Sequence, residues 1–295
     1  MSITLTQLRA FLAVVHSGSV TAAADELIVT QSSVSAAVSG LARELGTPLL
    51  ERDGRGVRPT PAGAAFAPFA TDVIGLLEQG RRAAVESAEN ASRTLRIAAV
   101  TTSAESFVPR LMQAFATAHP GVGLTLDVGN RDRVMGLVLA HQADVAFAGR
   151  PPRDARLEAR ALHPNEHVLI TAPDDELAAR AEVAPHELAA RTWLLREPGS
   201  GTRSVNEDFL AATGLAPRTL TVGSNGAIRQ AARARLGVSF VSRDAVADDL
   251  ATGLLAAIAV TSAPAPRAWH VLCSGVGPVR PVVATFLDFI TARGG

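Results

Sequence analysis

The segment from residue 19 to residue 41 constrains the fold more than any other part of the chain. It holds two short helical patterns joined by a three-residue turn, Ile28-Val29-Thr30. In the second pattern the apolar residues recur on one helical face: Val34, Val38, Leu41 and Leu45. Its opposite face begins with short polar side chains that can approach a base edge or a phosphate: Gln31, Ser32, Ser33 and Ser35. This pattern predicts a DNA-binding helix-turn-helix, although a plain amphipathic hairpin fits the segment alone equally well.

Residue types that favour helix N-caps precede each of the helical patterns in and before this segment. Thr4 and Gln7 have the spacing of a capping box, and apolar residues at helical spacing follow them as far as Gly18. Ser19 and Thr30 are residue types that favour N-caps, and each precedes one of the two helical patterns. We therefore expect three consecutive helices at the N-terminus.

A small hairpin is expected after the third helix. Asp53-Gly54 lies between two short strand-like runs, which is a hairpin pattern. The order of three helices and a hairpin predicts a winged helix-turn-helix domain over residues 1–60. The predicted wing contains three arginines that could meet a phosphate backbone: Arg52, Arg55 and Arg58.

The charge balance is unusual for a domain that binds nucleic acid. The chain has 28 basic residues, all of them arginine, and 28 acidic residues. Within residues 1–60, five arginines are balanced by five carboxylates, whereas phosphate binding usually goes with a basic patch. We therefore expect hydroxyl groups and helix N-termini, which also bind phosphate, to contribute to DNA binding.

Residues 61–94 predict a linker helix and a hinge. Thr60 and Pro61 are placed as the cap and first residue of a helix. Its apolar residues follow the four-three spacing of a helix that pairs with another helix: Phe66, Phe69, Val73 and Leu76. We expect this face to mediate dimerisation, most strongly after Pro68, which should kink the helix.

From residue 95 onward, strand and helix patterns alternate, which is typical of an α/β domain with mainly parallel strands. We expect two α/β lobes, lobe I over about 95–172 and 267–295 and lobe II over about 173–266. A cleft between them is the expected place for a small ligand.

Three turns in this region share one chemistry. They are Val100–Ser103, Pro198–Arg203 and Val222–Gly226, and each follows a strand and opens a helix. Hydroxyls, amides and free backbone N–H groups at helix N-termini suit a carboxylate or a phosphate. Ordinary helix capping explains any one turn better. Three turns facing one cleft favour an anion site, with Gly149-Arg150 as a further wall.

Motifs of an enzyme are missing. The seven histidines show no metal-binding spacing, and the sequence has no G-x-S-x-G or Walker A loop. The single cysteine, Cys273, cannot form an intramolecular disulfide or a multi-cysteine zinc site. We therefore expect no catalytic residue, metal or cofactor. The absence of a long apolar run and of a secretion signal predicts a cytoplasmic protein without a membrane span.

The N-terminal region resembles the LysR-type transcriptional regulators. The residues that carry the resemblance are Leu8-Arg9-Ala10-Phe11, Ser17-Gly18-Ser19, Ala22-Ala23-Ala24, Leu27, Gln31-Ser32-Ser33-Val34-Ser35, Leu41, Glu44-Leu45-Gly46, Leu49-Leu50, Arg52 and Thr60-Pro61-Ala62-Gly63. The resemblance implies a winged helix-turn-helix, a dimer-forming linker helix and a periplasmic-binding-protein-like effector domain. It further implies a homotetramer built as a dimer of dimers, binding to double-stranded promoter or operator DNA, control by a small inducer and contact with RNA polymerase. The chain departs from the family at Ala36-Ala37, where Arg-Gln is frequent.

Carried onto this chain, the resemblance implies two sets of site residues. The implied DNA-binding residues are Gln31, Ser32, Ser33 and Ser35, with the wing from Arg52 to Arg58; Ser19 and Thr30 at the caps complete the predicted set. The implied inducer cleft is lined by Thr101, Thr102, Ser103, Gly149, Ser200, Gly201, Thr202, Ser224 and Asn225. An alternative is a small-molecule receptor or enzyme with an incidental N-terminal helical domain; the missing signal peptide and catalytic motifs argue against it.

Overall fold

The computed structural model describes residues 2–54, 56–87 and 93–293. It divides the chain into two compact units. Unit 1 comprises Met1–Ala91 with Leu139–His141, and unit 2 comprises Ser92–Val138 with Gln142–Gly295. The predicted hinge between residues 86 and 93 lies largely outside the described residues.

Unit 1 contains three short helices, a hairpin and one long helix. They are α1 (Leu5–Ser17), α2 (Val20–Leu27), α3 (Gln31–Leu45), β1 (Leu50–Asp53), β2 (Gly56–Pro59) and α4 (Pro61–Glu86). The predicted caps are present: the side-chain oxygens of Thr4, Ser19 and Thr30 each accept a backbone N–H of the following helix. The predicted winged helix-turn-helix is thus confirmed in its order of elements, and α4 continues across Pro68.

The core of unit 1 forms around α1. Phe11 is fully buried and its ring lies 5.8 Å from that of Phe66 on α4, so α1 ties the long helix to the rest of the domain. The start of α4 also lies against the hairpin. A Cβ atom at Gly63 would stand only 2.0 Å from the carbonyl oxygen of Leu49, so only glycine permits this approach.

Lobe I of unit 2 is a five-stranded sheet covered by helices. Its strands are β3 (Arg93–Val100), β4 (Val122–Gly129), β5 (Val145–Ala148), β6 (Leu157–Asn165) and β12 (Arg267–Ser274), in the order β4-β3-β5-β12-β6. The first three are parallel, and β12 pairs antiparallel with both β5 and β6. Its helices are α5 (Thr101–Glu105), α6 (Val108–Ala118), α7 (Arg131–Leu139) and α11 (Pro281–Arg293). Phe115, Phe147 and Phe286 fill the core.

Lobe II repeats this strand pattern. Its strands are β7 (His167–Thr171), β8 (Trp193–Leu195), β9 (Thr219–Thr221), β10 (Ser239–Ser242) and β11 (Ala256–Ile258). β8 pairs parallel with β9, and a parallel bridge between Trp193 and Val238 links β8 to the start of β10. β7 then pairs antiparallel with β10 and β11. The helices are α8 (Gly201–Thr213), α9 (Asn225–Arg233) and α10 (Ala247–Ala251), with 3₁₀ turns at Glu176–Ala179, Pro185–Leu188 and Arg243–Ala245.

The structure shifts the predicted boundary between the lobes. The run around 168–172 was expected in lobe I, but β7 is the central strand of the sheet formed with β10 and β11. The chain instead crosses between lobes at Glu166, directly after β6. The sequence pattern did not predict β6, because this edge strand is mostly exposed and its alternating apolar positions are largely alanine, a residue depleted in strands.

Candidate functional site

The N-terminal turn of α3 presents a row of exposed polar side chains. Gln31, Ser32, Ser33 and Ser35 are all exposed, while Val34 between them is buried in the domain core. The Thr30 hydroxyl accepts the Ser33 N–H at 3.2 Å and lies 2.8–2.9 Å from the hydroxyls of Ser32 and Ser33. Thr30 therefore acts as a cap that also orders its neighbours. Ser19 likewise caps α2 through the Ala22 N–H at 3.3 Å.

The two described wing arginines have different surroundings. Arg58 pairs across the hairpin with Glu51, and its Nε donates to Glu51 Oε1 at 2.8 Å. Arg52 is exposed and, because side chains alternate along a strand, points to the opposite face of β1 from Glu51. Arg55 lies outside the described residues. Arg52 is thus the better placed of the two for a phosphate contact.

The predicted dimerisation face of α4 is only partly exposed. Phe69 and Val73 are 68% and 50% exposed, but Phe66 packs against Phe11 inside the domain. Leu76 is partly buried, whereas its neighbour Leu77 is 49% exposed. The outward apolar residues of α4 therefore follow an i, i+4, i+8 line, which we call the α4 stripe: Phe69, Val73 and Leu77. The predicted four-three face had combined the exposed residues Phe69 and Val73 with Phe66, which packs inside the domain.

Unit 2 contains a cleft between its lobes. Seven of the nine predicted inducer residues line it: Thr101, Thr102, Gly149, Ser200, Gly201, Thr202 and Asn225. Val100 and Arg150, which belong to a predicted turn and to the predicted wall, also line it. Ten lining residues were not predicted: Gly129, Asn130, Arg131, Asn165, His167, Arg196, Val205, Ser242, Arg267 and Trp269. The three predicted turns do converge on one space.

Two predicted residues do not line the cleft. Ser103 is fully buried, and its hydroxyl donates to the carbonyl of Val100 at 3.0 Å. The Ser224 hydroxyl caps α9 by accepting the Ala227 N–H at 3.1 Å. Ser224 is therefore an ordinary helix cap, and the hydrogen bond of Ser103 holds it to the end of β3.

Polar contacts join the lobes along one side of the cleft. Asn225 Nδ2 donates to Thr102 Oγ1 at 2.6 Å, and Arg196 Nη1 donates to the side-chain Oδ1 of Asn225. The N–H of Asp132 donates to the Gly199 carbonyl at 3.3 Å. Gly199 has φ 83°, a backbone conformation that L side chains rarely adopt, so this turn favours glycine.

Four arginines line the cleft: Arg131, Arg150, Arg196 and Arg267. Arg196 is buried and paired with Glu197 at 2.8 and 2.9 Å. Burial raises the pKa of Glu197, but hydrogen bonds from Arg196, its own backbone and Asn130 outweigh burial and hold that pKa below its ordinary value. Arg267 pairs with Asp208 at 2.8 Å. Arg150 belongs to the predicted wall, whereas Arg131, Arg196 and Arg267 were not predicted, because they come from distant strands and turns.

His167 is a half-buried, neutral group in the same cleft. Burial, followed by the charge of Arg267, lowers its pKa to about 4, although Asp244 opposes the shift. The imidazole is therefore uncharged at neutral pH.

Other site types find no support among the described residues. No cluster of three or more His, Cys, Asp or Glu side chains is arranged to hold a metal ion in the described ranges. Cys273 is buried, and burial raises the pKa of its thiol. None of the described helices is long and apolar enough to cross a membrane.

Comparison with known proteins identifies both halves of the chain. Residues 5–64 match the bacterial regulatory helix-turn-helix protein, lysR family, and residues 88–295 match the LysR substrate binding domain. The chain belongs to the LysR family of transcriptional regulators. This LysR-family chain is 36% identical over 295 residues to a RuBisCO operon transcriptional regulator from Allochromatium vinosum, covering 99% of this chain and 97% of the relative.

Solved structures of similar proteins agree with this assignment. The LysR-family chain is similar to the CcmR regulatory domain of Synechocystis PCC6803 in complex with 2-PG, with TM-score 0.65, 28% identity and coverage of 68% of this chain and 97% of that chain. It shares the fold of full-length CbnR complexed with target DNA, with TM-score 0.59, 23% identity and coverage of 99% and 100%. The predicted fold class is confirmed.

Family membership also decides the class of function. The LysR family consists of DNA-binding transcriptional regulators with an effector-binding domain and is not enzymatic. This LysR-family chain is therefore a transcriptional regulator, and the alternative of a receptor or enzyme with an incidental helical domain is not supported.

Proposed function

We propose that this regulator binds promoter or operator DNA through α3 and its wing and is controlled by a small anionic metabolite bound in the cleft of unit 2. The exposed polar row of α3 and Arg52 would contact the DNA. The effector would bind where the turns before α5, α8 and α9 converge.

The observation that supports an anionic effector is the positive charge of the residues that line the cleft. Four arginines line the cleft, and none of its lining residues, all within the described ranges, is Asp or Glu. The N-terminus of the 13-residue helix α8 adds backbone N–H groups through Gly201 and Thr202. The complex of the similar CcmR domain with 2-PG, an anion, is in keeping with this chemistry.

The effector would act by changing the angle between the lobes. The chain passes from lobe I to lobe II at Glu166 and returns before β12, and such crossings are natural hinges. A ligand that contacts both lobes stabilises one angle over the other, and it shifts the equilibrium only by its differential affinity for the two.

Isothermal titration of the full chain with 2-phosphoglycolate tests the anion site. We expect binding that weakens at least tenfold in Arg131→Gln, since one cationic contact to a phosphate is lost (about 1.4 kcal/mol or more). The matched control is Arg110→Gln, which removes an exposed arginine outside the cleft. Equal affinity for all three proteins, or no binding of any phosphate-bearing anion, would refute the proposal.

Assembly and location complete the proposal. The α4 stripe would pair with a second copy, and two such dimers would form the tetramer on DNA, in contact with RNA polymerase. The cytoplasm is the compartment in which promoter DNA is reached, and we place the protein there.

A further inference from the structure

Four side chains meet where the chain crosses from lobe I to lobe II. Asn165 ends β6 and pairs in register with Arg267 on β12. His167 begins β7 and pairs with Ser242 on β10. Directly opposed residues of antiparallel strands project on the same side of a sheet, and all four side chains line the cleft. We call this group the crossover cluster.

Three polar atoms of the crossover cluster are buried without a hydrogen-bond partner: Asn165 Oδ1, His167 Nδ1 and Ser242 Oγ. Asn165 and Ser242 are each only 5% exposed. Elsewhere in the cleft, buried polar groups are paired, as with Asn225 and Thr102. Because an unpaired polar group in a protein interior is costly, three at one place indicate a site that a ligand completes.

The chemistry of these atoms differs from that of the anion site. The amide oxygen of Asn165 can only accept a hydrogen bond, so a carboxylate or phosphate oxygen cannot satisfy it. His167 is neutral at physiological pH, because burial keeps its pKa low, and it therefore presents one donor and one acceptor nitrogen. Arg267, the charged member, is already paired with Asp208. A hydroxyl group, which donates and accepts, matches this set.

We propose that the crossover cluster binds a hydroxyl group of the effector, so that the effector is a hydroxylated anion such as a hydroxy-acid phosphate or a sugar phosphate. This inference rests on the proposed anion site and specifies the ligand class of the same cleft. The anion would be held by the cleft arginines and the N-terminus of α8, and the hydroxyl by Asn165, His167 and Ser242.

Matched ligand pairs test the proposal by titration calorimetry on the full chain. One pair is 3-phosphoglycerate and its deoxy analogue 3-phosphooxypropanoate; the other is ribose 5-phosphate and 2-deoxyribose 5-phosphate. We expect the hydroxylated member of at least one pair to bind about tenfold or more tightly, since a site built for a hydroxyl rejects the analogue that lacks it. This preference should fall below about threefold in Asn165→Leu and Ser242→Ala, while binding of the deoxy member stays within about twofold.

Two controls separate this proposal from the anion site and from misfolding. Arg131→Gln should weaken both members of a pair alike and leave their ratio unchanged. Ser242→Ala removes an atom that makes no hydrogen bond, so its melting temperature should equal or exceed that of the wild type. Equal binding of both members of each pair, or a preference that survives in both cluster variants, overturns the hydroxyl site while the anion site stands. Failure of all four phosphates to bind overturns both.

Discussion

At the scale of single residues, His167 shows how burial decides the charge of a side chain in the cleft. It begins β7, faces Ser242 across the ladder and is close enough to Arg267 for that charge to oppose protonation. The pKa of the imidazole is lowered from 6.5 to about 4, with burial as the largest cause. A histidine held neutral in this way contributes hydrogen-bonding atoms without adding to the positive charge of the cleft.

Acidification should therefore destabilise unit 2 through His167. Between pH 6.5 and about 4 the unfolded chain binds a proton that the folded protein does not, so stability falls as the pH falls through this window. We expect a loss of about 2 kcal/mol in the free energy of unfolding between pH 7 and pH 4.5 that is absent in His167→Gln.

Urea unfolding followed by tryptophan fluorescence measures this effect, since Trp193 and Trp269 both lie in unit 2. His186→Gln, which replaces an exposed histidine in the same lobe, serves as the control and should keep the wild-type pH dependence. An identical pH dependence for His167→Gln and the wild type would contradict the assignment.

At the scale of elements, α3 and the β1–β2 hairpin divide DNA binding between base and phosphate contacts. The polar row of α3 carries no charge, and one wing arginine is engaged with Glu51. Specificity would therefore depend on Gln31 and short hydroxyls, and general affinity on Arg52 and helix-end amides. Ile28, which forms the turn between α2 and α3, is 91% exposed and adopts φ 57°, a conformation rare for a β-branched residue.

Substitutions in α3 and in the wing should have separable effects. Gln31→Ala should reduce discrimination between operator and scrambled DNA by about 1–3 kcal/mol, the usual worth of a side-chain contact to a base edge. Arg52→Ala should weaken binding to both DNAs equally and reduce the salt slope by about one. Arg58→Ala should weaken DNA binding less than Arg52→Ala does, because Glu51 already neutralises the charge of Arg58.

Fluorescence anisotropy with both DNAs at several salt concentrations provides these quantities. The comparison of Arg52→Ala with Arg58→Ala is internally matched, since both residues lie on the same hairpin. A larger effect of Arg58→Ala would show that the ion pair with Glu51 opens on DNA and that our ranking is wrong.

At the scale of the whole molecule, the α4 stripe is the surface through which we expect copies to associate. Phe69, Val73 and Leu77 expose large apolar side chains in one line along a 26-residue helix. A line of this kind on a helix is typical of helix pairing and is otherwise rare on a solvated surface.

Val73→Glu should dissociate the dimer at micromolar concentration, because it places a charge in the middle of the paired face. Phe66→Ala should instead lower the stability of unit 1 by about 2 kcal/mol and leave association intact, since Phe66 packs on Phe11. Sedimentation velocity and thermal unfolding distinguish these outcomes. A fully associated Val73→Glu protein would exclude the α4 stripe as the dimer interface.

What the sequence predicted well was local. The caps at Thr4, Ser19 and Thr30 and the hairpin at Asp53-Gly54 depend on residues a few positions apart, and the structure has them where they were expected. Which sheet β7 joins depends instead on pairing with β10, about 70 residues later, and no local pattern encodes that choice.

The same distinction holds for the sites. The three ligand turns were visible because glycine and hydroxyl residues follow strands. Asn165, Ser242 and Arg267 were not, since their proximity arises from the registers of two separate ladders. The inward position of Phe66 was hidden for a similar reason: its partner Phe11 lies on another helix.

The position of β12 has a consequence for how the protein is made. Residues 267–274 form the strand between β5 and β6. Until this late segment has left the ribosome, β5 is therefore unpaired along one edge and β6 has no partner strand in the sheet. The strands of lobe II, by contrast, all fall between residues 167 and 258 and can pair beforehand. We therefore expect nascent chains to hold an unfinished lobe I with open strand edges beside a formed lobe II, which makes translation the stage at which aggregation is the greatest danger.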